Sequence, residues 1–357
     1  MAADVYDGSK WLTILIGGNR LGGQEYFALD VTDPDPSQFK ALWDKIPFNG
    51  RMSSNTPAIG KVKANNGAVD NWAAIITSGY TSTDITGEIA ALDIATGQKL
   101  NIWKIGAIWD DDRNAQPKAA GSPYYTLSPP AVLDSDMDGY LDLIYAGDTE
   151  GTLWKFYYDY EQKGWERVEL FHATDASGNP QAITATPALA FSNAGKYLRI
   201  YFGTGKYIEE SDKADSTQNG FYCLIEERQS VDNANRGHFT GTTTIDKADL
   251  GNVSSIVYSS DFFDAANEDV KINALANGWY FYLDHQAGNP SERVLAKPLI
   301  AAKYVFFTSF APNQDVCGFG GDARLYAVEY LSGTVDDDES ERPLEIMTAG
   351  KRYQEIG

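Results

Sequence analysis

Pro130-Ala131-Val132-Leu133-Asp134-Ser135-Asp136-Met137-Asp138-Gly139-Tyr140-Leu141-Asp142-Leu143-Ile144-Tyr145-Ala146-Gly147 reads as a strand, an acidic nine-residue loop and a second strand. Carboxylates stand at loop positions one, three, five and nine as Asp134, Asp136, Asp138 and Asp142, and Gly139 fills position six. Alternate side chains along a tightly curled loop point inward, so the aspartates converge while their neighbours turn away. A hard divalent cation such as Ca2+ takes six to eight oxygens at ~2.3–2.6 Å. Gly139 allows the sharp turn that brings the Tyr140 carbonyl within reach as a further ligand. Four anions packed this closely repel one another unless a counter-ion joins them. The predicted metal ligands are therefore Asp134, Asp136, Asp138, Asp142 and the Tyr140 carbonyl. Ca2+ fits better than Mg2+, which holds to a stricter octahedron with several waters. The competing reading is a solvated acidic turn.

The loop is not an EF-hand. Position twelve, where a bidentate Glu would close the shell, is Tyr145, so Asp142 must serve instead. Pro129-Pro130 precedes the loop and apolar, aromatic residues follow it, which suits a hairpin rather than two helices.

Working outward, the strand-opening Pro recurs as Pro57-Ala58-Ile59, Pro187-Ala188-Leu189 and Pro298-Leu299-Ile300. A second apolar run follows each Pro unit, from Trp72 to Gly79, Leu141 to Gly147, Tyr197 to Gly203 and Tyr304 to Phe310. A third run recurs as Tyr26–Asp30, Ile89–Asp93, Thr152–Phe156, Phe221–Ile225 and Leu325–Glu329. Several lead through a turn to a Trp, at Trp43, Trp103 and Trp165. Four short strands in units of roughly 45–60 residues are the pattern of propeller blades, whose radial packing leaves only short, protected edges. The predicted fold is all-β: a β-propeller of four-stranded blades, five of them recognisable, with a quinoprotein-dehydrogenase-like architecture. The chain reads as one propeller domain over 1–357, with an irregular segment at 333–357. It opens almost directly into a strand at Trp11, so the first blade is expected to lack its opening strands and to be completed near the C-terminus. Asp246 to Leu250 is the only helical candidate. The stretches 107–128 and 226–256 read as surface loops.

Composition agrees. The 357 residues are 43% hydrophobic and 13% aromatic, which suits a large core. A net charge of −21 argues against nucleic acid and against anionic membrane surfaces. No run approaches the ~18 apolar residues of a membrane span. Met1-Ala2-Ala3-Asp4 lacks the basic and apolar regions of a signal peptide, but the chain reads as a piece of a longer protein. Cys223 and Cys317 are far apart; a disulfide and two free thiols both suit them, and no Cys-x-x-Cys zinc or redox motif exists.

Other motifs carry less. His172, His238 and His285 fall in different units without metal-like spacing, which points to surface or capping roles. Gly17 to Gly23 lacks the Lys-Ser/Thr of a phosphate loop and reads as a hairpin turn. Asp175-Ala176-Ser177-Gly178-Asn179 alternates oxygen donors, but an Asx turn accounts for it. No Gly-x-Ser-x-Gly elbow occurs.

Taken together, these residues resemble the C-terminal propeller of PilY-type proteins, tip-associated adhesins of bacterial type IV pili. The resemblance is carried by Gly22-Gly23 with Tyr26 to Pro34, by Ser128 through the acidic loop to Phe156, and by Gly278-Trp279-Tyr280, Glu292 to Leu295, Cys317-Gly318 and Leu325-Tyr326-Ala327. It covers most of 11–333. It implies no enzymatic activity, calcium binding at Asp134, Asp136, Asp138, Tyr140 and Asp142, and Ca2+-dependent control of pilus extension against retraction, hence of twitching motility. It also implies minor pilins as partners, a host or other surface ligand, and a pilus-associated position at the cell surface after export through periplasm and outer membrane. The family's von Willebrand A-like region and the Arg-Gly-Asp of some members are not in this sequence: Arg236-Gly237 is followed by His238. The rival is a quinoprotein dehydrogenase of the PQQ type, whose Leu-Asp-x-x-Thr-Gly…Trp blades look alike. Such enzymes often carry adjacent cysteines at the cofactor, whereas Cys223 and Cys317 are far apart.

Overall fold

Short runs of β-branched and aromatic residues separated by Gly, Asp and Asn turns build the whole architecture. The computed structural model describes residues 1–63, 71–80, 86–106, 126–192, 194–229, 237–254, 277–283, 290–313 and 320–331. They form five sheets, all antiparallel but for one short pair. Cys317, His285, Asp110 to Asp112 and the 333–357 segment lie outside the described residues.

The chain divides into two compact units, 1–169 with 229–242, and 170–228 with 243–357. In the first unit, β1 (Ala2–Tyr6), β2 (Trp11–Gly18), β3 (Tyr26–Asp30) and β4 (Lys40–Lys45) form one sheet in chain order. β5 (Ala58–Val62), β6 (Asn71–Thr77), β7 (Thr86–Asp93) and β8 (Lys99–Gly106) form the next. β9 (Ala131–Leu133), β10 (Leu143–Gly147), β11 (Thr152–Asp159) and β12 (Gly164–His172, the unit boundary falling after Glu169) form the third.

The first sheet corrects one expectation. It does not lack its opening strands, because Ala2–Tyr6 pairs along β2 and supplies the edge. The turn between them is set by Asp7, whose Oδ1 accepts from the amides of Ser9 and Lys10. That local acidic turn closes a hairpin too short for the recurring pattern to reveal.

Sheet packing follows the two-residue alternation of strands. On β6, Ala74 and Ile76 join Ile14, Ile16, Tyr26, Ala28 and Trp43 on one face. Ala73 and Ile75 join Ile144, Ala146, Trp154 and Phe156 on the other. A strand buried on both faces reads as a continuous apolar run, as Trp72 to Thr77 does. The strand-four tryptophans lock sheets together: Trp43 Nε1 donates to the Ile94 carbonyl at 2.9 Å, and Trp165 Nε1 donates to the Lys63 carbonyl at 2.9 Å.

In the second unit, β13 (Ala188–Ser192), β14 (Tyr197–Gly203) and β15 (Gly220–Glu227) are followed in space by β17 (Gly278–Tyr282) and β16 (Gly251–Asn252). β16 runs parallel to β17, so this blade has five strands rather than four among the described residues. β18 (Leu299–Ala301), β19 (Tyr304–Pro312) and β20 (Gly321–Glu329) form the last sheet, three-stranded among the described residues. An aromatic core of Phe221, Trp279, Phe281, Phe307 and Tyr326 fills this unit. Cys223 is a free, buried thiol in it, with Arg199 Nη1 3.9 Å from its sulfur.

Short 3-10 segments stand at Pro36–Gln38, Glu210–Ala214 and Lys247–Asp249 among the described residues. The expected turn at Asp246 to Leu250 is present, and two others join it. No helix among the described residues is long and apolar enough to cross a membrane.

Candidate metal centre

The acidic loop joins β9 to β10, and the Leu133–Leu143 pair closes its base. Two residues curl it: Met137 at φ 60° and Gly139 at φ 94°. Nothing lies within 4 Å of a Cβ built on Gly139, so glycine is needed there for backbone conformation rather than space. Met137 is 77% exposed, pointing away from the converging aspartates.

Each aspartate is aimed by the loop's own amides. Asp138 N donates to Asp134 Oδ1 and to Asp136 Oδ1, and Gly139 N donates to Asp134 Oδ2 at 2.8 Å. Tyr140 N donates to Asp138 Oδ1 at 3.0 Å. Asp142 is buried, accepting from Ser135 N at 2.9 Å and Ser135 Oγ at 2.6 Å. One oxygen from each of Asp134, Asp136 and Asp138 lies within 4.8 Å of the others, and Asp136, Asp142 and the Nδ1 of His238 form a second such group. The loop therefore brings the four predicted aspartates into two groups that share Asp136. Tyr140 follows the Gly139 turn, with its ring beside Lys61 and Lys63.

Three neighbours were not foreseen. Lys63 Nζ lies 2.6 Å from Asp138 Oδ2. Tyr160 OH donates to Asp142 Oδ2 at 3.4 Å, and the Tyr160 ring stacks on His238 with centroids 3.8 Å apart. His238 is buried rather than at the surface, with Nδ1 3.9 Å from Asp136 Oδ2 and from Asp142 Oδ2. Its segment is tethered by the buried Lys155, which donates to the Gly241 carbonyl at 3.1 Å. Lys63 comes from 75 positions upstream of Asp138, Tyr160 from 18 beyond Asp142 and His238 from a polar stretch with no periodic signal, so spacing alone could not find them.

The electrostatics fit a cation. Burial and the nearby Asp138 charge push the Asp136 carboxyl above its usual range, Asp142 adding to the effect. Burial and the carboxylates Asp142, Asp136 and Asp138 push the Tyr160 phenol far up. Local negative charge thus exceeds what Lys63 offsets, and the donors in the loop are hard oxygens suited to Ca2+.

The second candidate is an ordinary turn. Asp175 Oδ1 accepts from the amides of Ser177 and Asn179, while Lys247 donates to the Thr174 and Asp175 carbonyls.

Successive small antiparallel sheets and an acidic hairpin between two strands define an all-β propeller protein with a candidate cation loop. The family model for the PilY1 beta-propeller domain matches residues 1–254. The chain belongs to that family. It is 30% identical over 354 residues to a type IV pilus biogenesis factor PilY1 homolog of Xylella fastidiosa, covering 93% of this chain and 22% of that protein. It is 27% identical over 376 residues to type IV pilus biogenesis factor PilY1 of Pseudomonas aeruginosa, covering 93% of this chain and 30% of that protein. The chain thus spans less than a third of either relative. The crystal structure of the Pseudomonas aeruginosa PilY1 C-terminal domain shares the fold, with a TM-score of 0.71 at 24% identity over 94% of this chain and 71% of that one.

Proposed function

We propose that this chain is the calcium-binding propeller of a non-enzymatic type IV pilus biogenesis protein. In this reading it acts at the pilus tip or cell surface, biases pilus extension against retraction in response to Ca2+, works with minor pilins and contributes to adhesion. The supporting observation is the convergence of Asp134, Asp136 and Asp138 within 4.8 Å around a loop curled at Met137 and Gly139. The relatives named above are biogenesis factors by name, which supports the pilus role.

Bound Ca2+ would supply the positive charge that the aspartates lack, with Asp134, Asp136, Asp138, Asp142 and the Tyr140 carbonyl holding it. The chain's own residues set what that charge controls. Leu141 N donates to the Lys61 carbonyl at 2.6 Å, and Lys63 grips Asp138, so the loop is welded to the end of β5. Without the ion, Lys63 and the Leu141–Lys61 bond alone hold the loop against the repulsion of the remaining carboxylates, which shifts its population toward open forms and changes the surface offered to pilus components.

The test is Asp138→Ala in the full-length parent protein, made in its own bacterium. Surface piliation and twitching are measured with calcium and with chelator. Wild type should respond to chelation and the variant should be fixed in the chelated phenotype. An identical calcium response in both would overturn the regulatory reading.

A further inference from the structure

The calcium reading does not use His238. This side chain is 8% exposed, and among the described residues its Nδ1 finds no hydrogen-bond partner. Nδ1 nevertheless points at two carboxylate oxygens, Asp136 Oδ2 and Asp142 Oδ2, each 3.9 Å away. That gap is too wide for a hydrogen bond. It is the right size for an ion: zinc bonds imidazole nitrogen at ~2.0–2.1 Å and carboxylate oxygen at ~2.0–2.2 Å, so one ion spans the gap with a bent angle.

We infer that Asp136, Asp142 and His238 form a second metal subsite beside the acidic loop, for a borderline divalent ion of the Zn2+ class. The donor chemistry separates it from the loop. Oxygens alone suit Ca2+, whereas one imidazole nitrogen and two carboxylates suit Zn2+, with water in the open position. The subsite is built rather than casual. Ser135 Oγ and Tyr160 OH both bond Asp142 Oδ2 and orient it, as outer partners orient metal-bound carboxylates. Tyr160 stacks on the imidazole and fixes its plane, and Lys155 anchors the segment that carries it. Asp136 belongs to both groupings and Asp142 also stands among the proposed Ca2+ ligands, so the two ions compete for these carboxylates or share them.

Zn2+ is titrated calorimetrically into the metal-free chain, using wild type, His238→Ala and His238→Asn, with folding of each checked by circular dichroism. Wild type should take up one Zn2+ at this subsite, and both variants should bind it at least about 10-fold more weakly. Ca2+ titrated into the same His238 variants should bind as in wild type. Asp134→Asn, which touches only the loop grouping, should weaken Ca2+ and leave Zn2+ binding in place. X-ray absorption of zinc-loaded wild type, which needs no variant, should show imidazole scattering. The inference is overturned if wild type binds no Zn2+, if a folded His238 variant binds it as tightly as wild type, or if the absorption spectrum shows oxygen ligands alone. Because each ion is titrated separately, loss of the zinc result leaves the calcium proposal intact, and the converse also holds.

Discussion

Lys63 Nζ sits 2.6 Å from Asp138 Oδ2, so the acidic hairpin is already held by a cation that follows the first strand of the preceding sheet. Both side chains are largely buried, at 17% and 13% exposure, which keeps solvent from screening the pair fully. Lys63 therefore supports the loop without an ion and opposes an incoming one.

Lys63→Met should for that reason tighten Ca2+ binding. At an effective dielectric of ~20, a unit charge a few ångströms from a divalent ion opposes it by several kcal/mol before solvent and salt screening. About 10-fold tighter binding is expected after that screening, with a lower melting temperature in chelator because Asp138 has lost this partner. Calorimetry and thermal melting check both halves. Unchanged or weaker Ca2+ binding would show that Lys63 does not act on the ion.

Gly60 carries the mechanical side of the same contact. A Cβ built on it would lie 2.5 Å from Leu141 Cδ1 and 2.7 Å from Leu141 Cγ, and Leu141 bridges to Val62 at the end of the acidic loop. Gly60→Val should cost about 1–3 kcal/mol through overpacking. It should also weaken Ca2+ binding, since the Leu141 side chain it displaces sits at the loop's outgoing end. A stability loss with Ca2+ affinity unchanged would mean that the weld to β5 does not position the loop.

Asp148 gives a pH dependence. Burial pushes its carboxyl up to about 6, against bonds from Trp154 Nε1, Thr152 N and Glu150 N that lower it. The folded state thus binds a proton more tightly than the unfolded chain, whose value is near 3.8. This contribution to stability is fully present below the unfolded value and is lost as pH rises through about 6. Wild type should gain stability relative to Asp148→Asn between pH 7.5 and pH 4.5, by about 2 kcal/mol. Denaturant melts at the two pH values measure it, and a pH-independent difference would contradict the assignment.

The recurring units were legible because the strand pattern is local. Tyr26–Asp30 and Tyr197–Gly203 are strands with those bounds, and each Pro unit opens a first strand. Asp134, Asp136, Asp138 and Asp142 were legible for the same reason: one short loop contains them all. Ala2–Tyr6 was missed because a single hairpin edge has no repeat to betray it. β16 was missed because two residues pairing in parallel across an insertion leave no periodic mark. Lys63, Tyr160 and His238 meet the loop only through sheet packing, the Tyr160 stack and the Lys155 tether. Long-range convergence of single residues is set by tertiary structure, and no spacing rule reports it.

The central claim is that the aspartate loop holds a divalent cation. Calorimetric titration of Ca2+ into the metal-free chain tests it most directly, with Asp138→Ala as the partner measurement. The account predicts Ca2+ uptake by wild type and binding at least about 10-fold weaker in the variant, from loss of one carboxylate ligand. A wild-type chain that takes up no Ca2+, or an Asp138→Ala chain that binds it equally well, would contradict it.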